Sequence, residues 1–471
     1  MSTYSILLNI LDRVREEAPQ EFVTYRPDPL DTEKLNQARS RAYIHLYLKA
    51  YLGVLDFRIR ESLITDGVSD GGIDGYYIDS TSKTIYFLQS KFRTKETTFQ
   101  AKEIQVGEIL KMDTDRILSG EIAHENGVQY NAKILDMQRK IREIPDIGRY
   151  RYEVIILANL KKISESKLRL LTGGLPCKVF DYKRAYSDLV LPIITGTYYK
   201  YSEINISVNL SNKSEGGKII YVVETELGPC EIRVLFVPLT EIGRLMFDYK
   251  NSILKYNPRS FLTLKEGTIN DEIKQTVLRK VINEFALFNN GITILSDETG
   301  FNPKTGQKDR AQLSLRNPQI INGGQTAYTL SIIYEEALEK DKSLIEKLDS
   351  KEVMLKVITL KMSKEVSAEK KLKLIESIST ATNKQNSVDP ADRQSNNKRL
   401  IDAQKNLFSD FGILLERKRG EFYDGLRYEY INKNELIDRA IFMRIAYATL
   451  GYLNHPKKRK KSSQIKELRR F

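Results

Sequence analysis

Cysteine and histidine are scarce in this chain of 471 residues, which has two of the first and three of the second. Cys177 and Cys230 can supply neither a disulfide framework nor a zinc cluster. His45, His124 and His455 are scattered, which argues against a Ser-His-Asp site or a histidine-held metal. No apolar run approaches the length of a membrane span. The start, MSTYSILLNILDRVREE, lacks a basic stretch followed by a small-residue cleavage site, so it does not read as a signal peptide. A reducing cytoplasm and no membrane partner are the expectation.

What is present is basic charge and enough apolar residues for real cores. Hydrophobic residues make up 41% of the chain, and the net charge is +13. The end, HPKKRKKSSQIKELRRF (His455 to Phe471), holds eight Lys/Arg against one Glu. Such a tail favours polyanions through counterion release, or serves only as a solvated end. Nucleic acid fits it better than a lipid surface, because the tail has few apolar residues. A chain of this length has room for two or three domains.

The richest segment runs DGGIDGYYIDSTSKTIYFLQSKF, Asp70 to Phe92. GYYID, a polar turn (Ser80 to Lys83) and TIYFLQSKF read as strand, turn and strand. Gln89 and Lys91 are two apart and share a face, with Tyr86, Leu88 and Ser90 on the other. Asp74 can sit opposite that polar face. Its carboxylate, the Gln89 side-chain oxygen and the Ser90 carbonyl are hard ligands suited to Mg²⁺ or Mn²⁺. Such a cation would polarise a phosphate and help ionise an attacking water. Lys91 would orient that water or stabilise charge on the phosphoryl oxygens. Gln in place of Glu removes one negative charge, so cation binding should be weaker than at a two-acid site. The competing reading is an amphipathic hairpin whose polar face is solvated. Upstream lie Asp66, Gly67, Asp70, Gly71 and Gly72, a turn that lets the backbone approach a cation or phosphate closely.

This segment resembles the PD-(D/E)xK nuclease superfamily, in the Mrr-like branch with Gln in the third motif. The resemblance implies Asp74, Gln89 and Lys91 as catalytic residues, with Asp74, Gln89 and Ser90 around the cation. It also implies an acid from the first helix, for which Glu61 and Asp70 are candidates. A helix over about Glu33 to Tyr51 precedes the hairpin and one over about Thr97 to Leu118 follows. Strands at Tyr152 to Leu160 and Cys177 to Tyr182 come next. Alternating strands and helices argue for a mixed α/β fold.

The polar stretch Asn209 to Lys218 reads as a boundary. Beyond it, strands IIYVVETEL and EIRVLFVPL lead to a helix from Thr240. Three segments then set Asn, Gln and Gly in apolar frames: FNNGITIL, NPQIINGGQTAYTL and ATNKQNSVDPAD. In the middle one, a short strand, a turn at Asn322, Gly323 and Gly324, and a helix from Gln325 leave free N–H groups at the helix start. That is a ready anion site, or merely a tight connection.

These motifs in this order, with YNPRSFL, INDEIKQTV and LERKRGEFY, resemble the AIPR family, named for abortive infection phage resistance. The resemblance covers roughly Lys218 to the mid-400s. The glycine turn followed at a distance by NKQN is also similar to ParB-like nucleotide-binding domains. By that likeness Asn322, Gly323, Gly324, Gln325 and Thr326 would cradle phosphates, and Asn383 and Gln385 would complete the pocket. Gln325 and Thr326 stand where those domains carry a basic residue. A buried amide network is the alternative.

The expected protein is therefore mixed α/β. A restriction-endonuclease-like domain would span 1–208, a mixed α/β AIPR domain 218–454 and a basic tail 455–471. The function expected from the resemblance is Mg²⁺- or Mn²⁺-dependent endonuclease action in prokaryotic antiphage defence. Nucleic acid, DNA ahead of RNA, would be the partner, with a homo-oligomer and a nucleotide ligand as further candidates. The alternative is a catalytically inactive regulatory protein that binds nucleic acid or nucleotide.

Overall fold

A computed structural model describes residues 2–101, 104, 111–160, 163–211, 213, 218–226, 228–257, 269–279, 282–360, 368–382 and 395–449. The basic tail 455–471, Asn383 and Gln385 lie outside the described residues. The fold is mixed α/β, as expected, with both sheets and helices among the described residues. It divides into two compact units, Met1–Ile193 with Asn406–Gly412, and Ile194–Lys405 with Ile413–Phe471.

The first unit opens with helices α1 (Thr3–Glu16), α2 (Thr32–Leu46) and α3 (Phe57–Ser62). Ser2, Asp31 and Asp56 cap them with side-chain oxygens, which satisfies first-turn N–H groups that have no partner within the helix. A four-stranded sheet follows, in the order β1 (Gly75–Asp79), β2 (Thr84–Ser90), β3 (Arg151–Leu157), β4 (Cys177–Phe180). β1 and β2 form the expected hairpin, with Gly75 opposite Leu88 and Asp79 opposite Thr84. β2–β3 and β3–β4 are parallel, and parallel strands need crossover segments. The first crossover contains helix α4 (Ala132–Arg142).

Alternation along β2 sends Ile85 and Phe87 into a core with Ile73, Tyr76, Ile134, Met137, Val154 and Ile156. Gln89 continues that face and is 1% exposed. At this end of the hairpin Gln89 and Asp74 are buried and Lys91 is half-buried.

One expected helix differs. Of the helix expected over about Thr97–Leu118, the described residues form two short helices, Glu96–Gln100 and Thr114–Leu118, with Ile104 and residues 111–113 outside them. Among the described residues between them, three backbone amides bond to tertiary partners. Ile104 N–H donates to Asn159 O, Met112 to Leu171 O and Asp113 to Gly71 O.

The second unit holds a three-stranded antiparallel sheet, β5 (Glu203–Asn209) beside Arg310–Arg316 beside Glu298–Asn302. Its larger, five-stranded sheet includes β6 (Lys218–Thr225), at one edge, and β7 (Gly228–Pro238). At the other edge, strand Gln319–Asn322 turns at Gly323 into helix Gly324–Glu339. The anticipated strand, glycine turn and helix are thus present.

Candidate active site

The loop between α3 and β1 carries most of the polar groups of the first unit's candidate site. Its two ends are tied together. Thr65 and Asp66 N–H both donate to Asp74 O, at 3.0 and 3.1 Å. Inside the loop, Asp70 accepts from Gly72 N–H at 2.9 Å and Gly67 N–H at 3.1 Å. Gly72 has φ +76, and a Cβ there would lie 3.1 Å from Lys111 O and 3.3 Å from Gln89 Nε2. A side chain at Gly72 would disfavour both the turn and the close approach.

These constraints bring Asp66, Asp70 and Asp74 together, each offering a carboxylate oxygen within 4.8 Å of the others. Sequence reading places Asp66 among the acids upstream of the hairpin but gives it no role. It arrives at the site through backbone hydrogen bonds, and the only local hint is the even spacing of the three aspartates.

The end of β2 closes the other side. Ser90 N–H donates to Asp74 Oδ2 at 2.6 Å, and Gln89 Nε2 donates to Gly72 O at 3.0 Å. Asp74 N–H donates to Leu88 O at 2.8 Å. Ser90 thus meets Asp74 through its amide. Lys91 extends the strand, its N–H donating to Leu157 O, and its charge acts on both Asp70 and Asp74.

Burial pushes the Asp74 carboxyl up to about 7. The Ser90 N–H pulls it back, while the charges of Asp66 and Asp70 push it further up. Burial also raises Asp70, against its bonds from Gly72 and Gly67. Like charges this close resist joint ionisation. The donor set is all hard oxygen, which fits Mg²⁺ or Mn²⁺ and would suit a thiophilic metal poorly.

Glu61 belongs to a different group. It accepts from Tyr25 O–H and lies 3.1 Å from His45 Nε2 and 3.7 Å from both Arg41 and Lys133. Burial pushes its carboxyl up, but the His45 and Tyr25 bonds and the Arg41 charge outweigh this and hold it below the usual range. It is not among the three clustered carboxylates.

A residue that sequence reading missed pins the loop. Asn131 caps α4 by accepting from Ile134 N–H at 2.9 Å, and its Nδ2 donates to Thr65 O and Val68 O at 3.1 and 3.3 Å. Its own N–H donates to Ser69 O at 3.0 Å. No sequence pattern marks a contact across more than 60 residues.

In the second unit, Gly323 is left-handed with φ +80. A Cβ there would stand 2.8 Å from Gly291 O and 2.9 Å from Ile292. Gly324 opens the helix against Asn257, and Gln325 is half-buried beside it. Asn322 Oδ1 accepts from Gly323 N–H at 2.6 Å, and Thr326 accepts from Asn289 Nδ2 at 3.1 Å. The NNG and NGG segments therefore pack on each other. Lys418, from LERKRGEFY, is buried and donates to Leu254 O and Lys255 O, at 3.2 and 2.7 Å. Burial lowers its amine to about 7.

Among the described residues, no helix is long and apolar enough to cross a membrane. Comparison with curated proteins and with solved structures gave no significant match. A match was found to the model of the AIPR protein family, over residues 254–469. That range includes the NNG, NGG and LERKRGEFY segments, and over it the chain is similar to AIPR proteins.

Proposed function

We propose that this protein is a divalent-cation-dependent nuclease of the cytoplasm that acts in antiphage defence. The observation that carries the proposal is the convergence of Asp66, Asp70 and Asp74 beside Gln89 and Lys91 at the end of a buried hairpin. The antiphage role rests on the AIPR match, through what that family is named for.

Asp66, Asp70 and Asp74 would hold the cation. When bound, Mg²⁺ or Mn²⁺ supplies Lewis-acid polarisation of a phosphate and a more acidic water. The chain's own groups do the rest. Ser90 N–H fixes the direction of the Asp74 carboxylate. Gln89, held against Gly72 O, keeps the loop seated on the strand. Lys91 puts a positive charge beside the acids, where it can stabilise charge growing on phosphoryl oxygens. Asp74 is buried, Asp70 half-buried and Asp66 exposed, so the interactions of Asp74 are the ones strengthened relative to water. A phosphodiester of DNA or RNA is the substrate class that suits a cation site next to a lysine.

Incubation with supercoiled plasmid and with RNA, in Mg²⁺ or Mn²⁺, tests the reading. Wild type should cleave at least one substrate. Asp74→Ala and Lys91→Ala should lose on the order of a hundredfold or more in rate, as expected for removing a group that stabilises developing charge. If wild type and both variants cleave equally, or none cleaves, the enzymatic reading fails. Retained nucleic-acid binding without cleavage would leave the regulatory alternative.

A further inference from the structure

The edge strand β6 shows an unusual surface. It reads KIIYVVET, and Ile219, Ile220, Tyr221 and Val222 are 69, 47, 65 and 51% exposed. They point alternately to both faces of the sheet, so neither face of this stretch is covered. On its inner side β6 pairs with β7 without interruption, from Lys218 opposite Leu235 to Thr225 opposite Gly228. Among the described residues, no strand pairs with its outer side, which is a sheet edge.

Proteins usually blunt such an edge with a proline, a bulge or a charge in mid-strand. β6 has none of these. It has eight residues in regular register, five apolar ones at its centre and charges only toward its ends. We propose that this edge is the contact between two copies of the chain, joined antiparallel about a two-fold axis at Tyr221.

The distribution of charge favours a second copy and sets the register. With Tyr221 opposite itself, Ile220 faces Val222 and Ile219 faces Val223. Lys218 then faces Glu224 at both ends. Directly opposed residues share a face of the sheet. The Lys218 ammonium already lies on one face, 3.9 Å from the Phe301 ring centre. A two-fold pairing is self-complementary and closes after two copies, which removes the free edge of both. The contact would join two five-stranded sheets into one.

Mass measurement by light scattering on the full chain, with an oxidative cross-link, tests this. Wild type should be a dimer at micromolar concentration. Val222→Lys sets a charge in the middle of the contact twice over and should weaken the dimer by about tenfold or more. Tyr221→Cys should cross-link to its own copy under mild oxidation, because facing Cα atoms lie within disulfide range. Wild type, with only Cys177 and Cys230, should not. Both positions are exposed, so the variants should keep the wild-type circular dichroism spectrum. A monomeric wild type overturns the proposal, as does a dimer that Val222→Lys leaves intact. A Val222→Lys-sensitive dimer in which Tyr221→Cys stays unlinked overturns the register.

Discussion

Ser90 N–H donates to Asp74 Oδ2 across 2.6 Å, yet the Asp74 carboxyl still sits at about 7. One good hydrogen bond does not offset burial beside two further carboxylates. The group holds its proton well above the ordinary carboxylate range, in a place where a cation would complete it.

The sign of the resulting pH dependence is fixed. The folded value lies above the ordinary 3.8, so the folded state holds a proton that the unfolded state has lost. Asp74 therefore contributes stability at low pH that is lost as pH rises through about 7. A bound cation reverses this by favouring the ionised form. Mn²⁺ affinity should rise by about tenfold per pH unit below 7 and level off above it. Calorimetry in buffers of different ionisation enthalpy should find about one proton released per cation at pH 6, and almost none at pH 8. Asp74→Asn should abolish the release. Equal affinity at both pH values would contradict this account.

Asp66 and Glu61 make opposite predictions although both are acids near the same loop. Asp66 lies with Asp70 and Asp74, so Asp66→Asn should weaken Mn²⁺ binding by on the order of tenfold, with little loss of stability. Glu61 accepts from Tyr25 and pairs with His45, Arg41 and Lys133. Glu61→Gln should instead lower stability by about 1–3 kcal/mol, with cation affinity nearly unchanged. Cation-titrated thermal melts of both variants measure the two effects together. An Asp66→Asn protein that binds as wild type would remove Asp66 from the site.

Asn131 offers a way to separate the loop from the helix it caps. Asn131→Ala removes the cap of α4 and two bonds to the loop, for a loss of about 2 kcal/mol. Asn131→Asp keeps a capping oxygen but has no N–H to give Thr65 O and Val68 O. It should keep most of the stability while the cation binds several-fold more weakly, because Asp66 and Asp70 lose their anchor. If Asn131→Asp binds Mn²⁺ like wild type, the anchor is not needed.

These contrasts also show what the residue order reveals. The hairpin was legible because GYYID and TIYFLQS alternate around a polar turn, and period two is local information. The NGG turn was legible for the same reason, with two glycines between a short apolar strand and a helical pattern. Asp66 and Asn131 were not legible as site residues. Each reaches the site through bonds to backbone atoms, Asp74 O for one and Thr65 O for the other, and a carbonyl has no residue identity to read. Among the described residues of the helix expected over about Thr97–Leu118, the amides of Ile104, Met112 and Asp113 bond to carbonyls elsewhere in the chain, which no local pattern announces. Lys418 sits in a charged run, RKR, yet its amine is enclosed against two backbone carbonyls.

His45 gives the last prediction, and its sign opposes that of Asp74. Its ring is fully buried, stacked on Phe57 at 4.5 Å and edge-on to Tyr25. Burial lowers its pKa; the bond to Glu61 offsets part of this, and the Arg60 and Arg41 charges add to it. The unfolded chain, with a histidine near 6.5, then takes up the proton before the folded one does. Stability falls as pH drops from about 6.5 toward the lowered folded value. The Glu61 carboxyl, held below its usual range, adds a loss of the same sign at lower pH. Asp74 gains stability over the same acid range, so wild type alone would show a blunted slope. The Asp74→Asn protein should expose the His45 effect, with its unfolding midpoint in urea falling between pH 7.5 and 5.5. Adding His45→Gln to that background should flatten the decline. A decline of equal size with and without His45 would assign it to other groups.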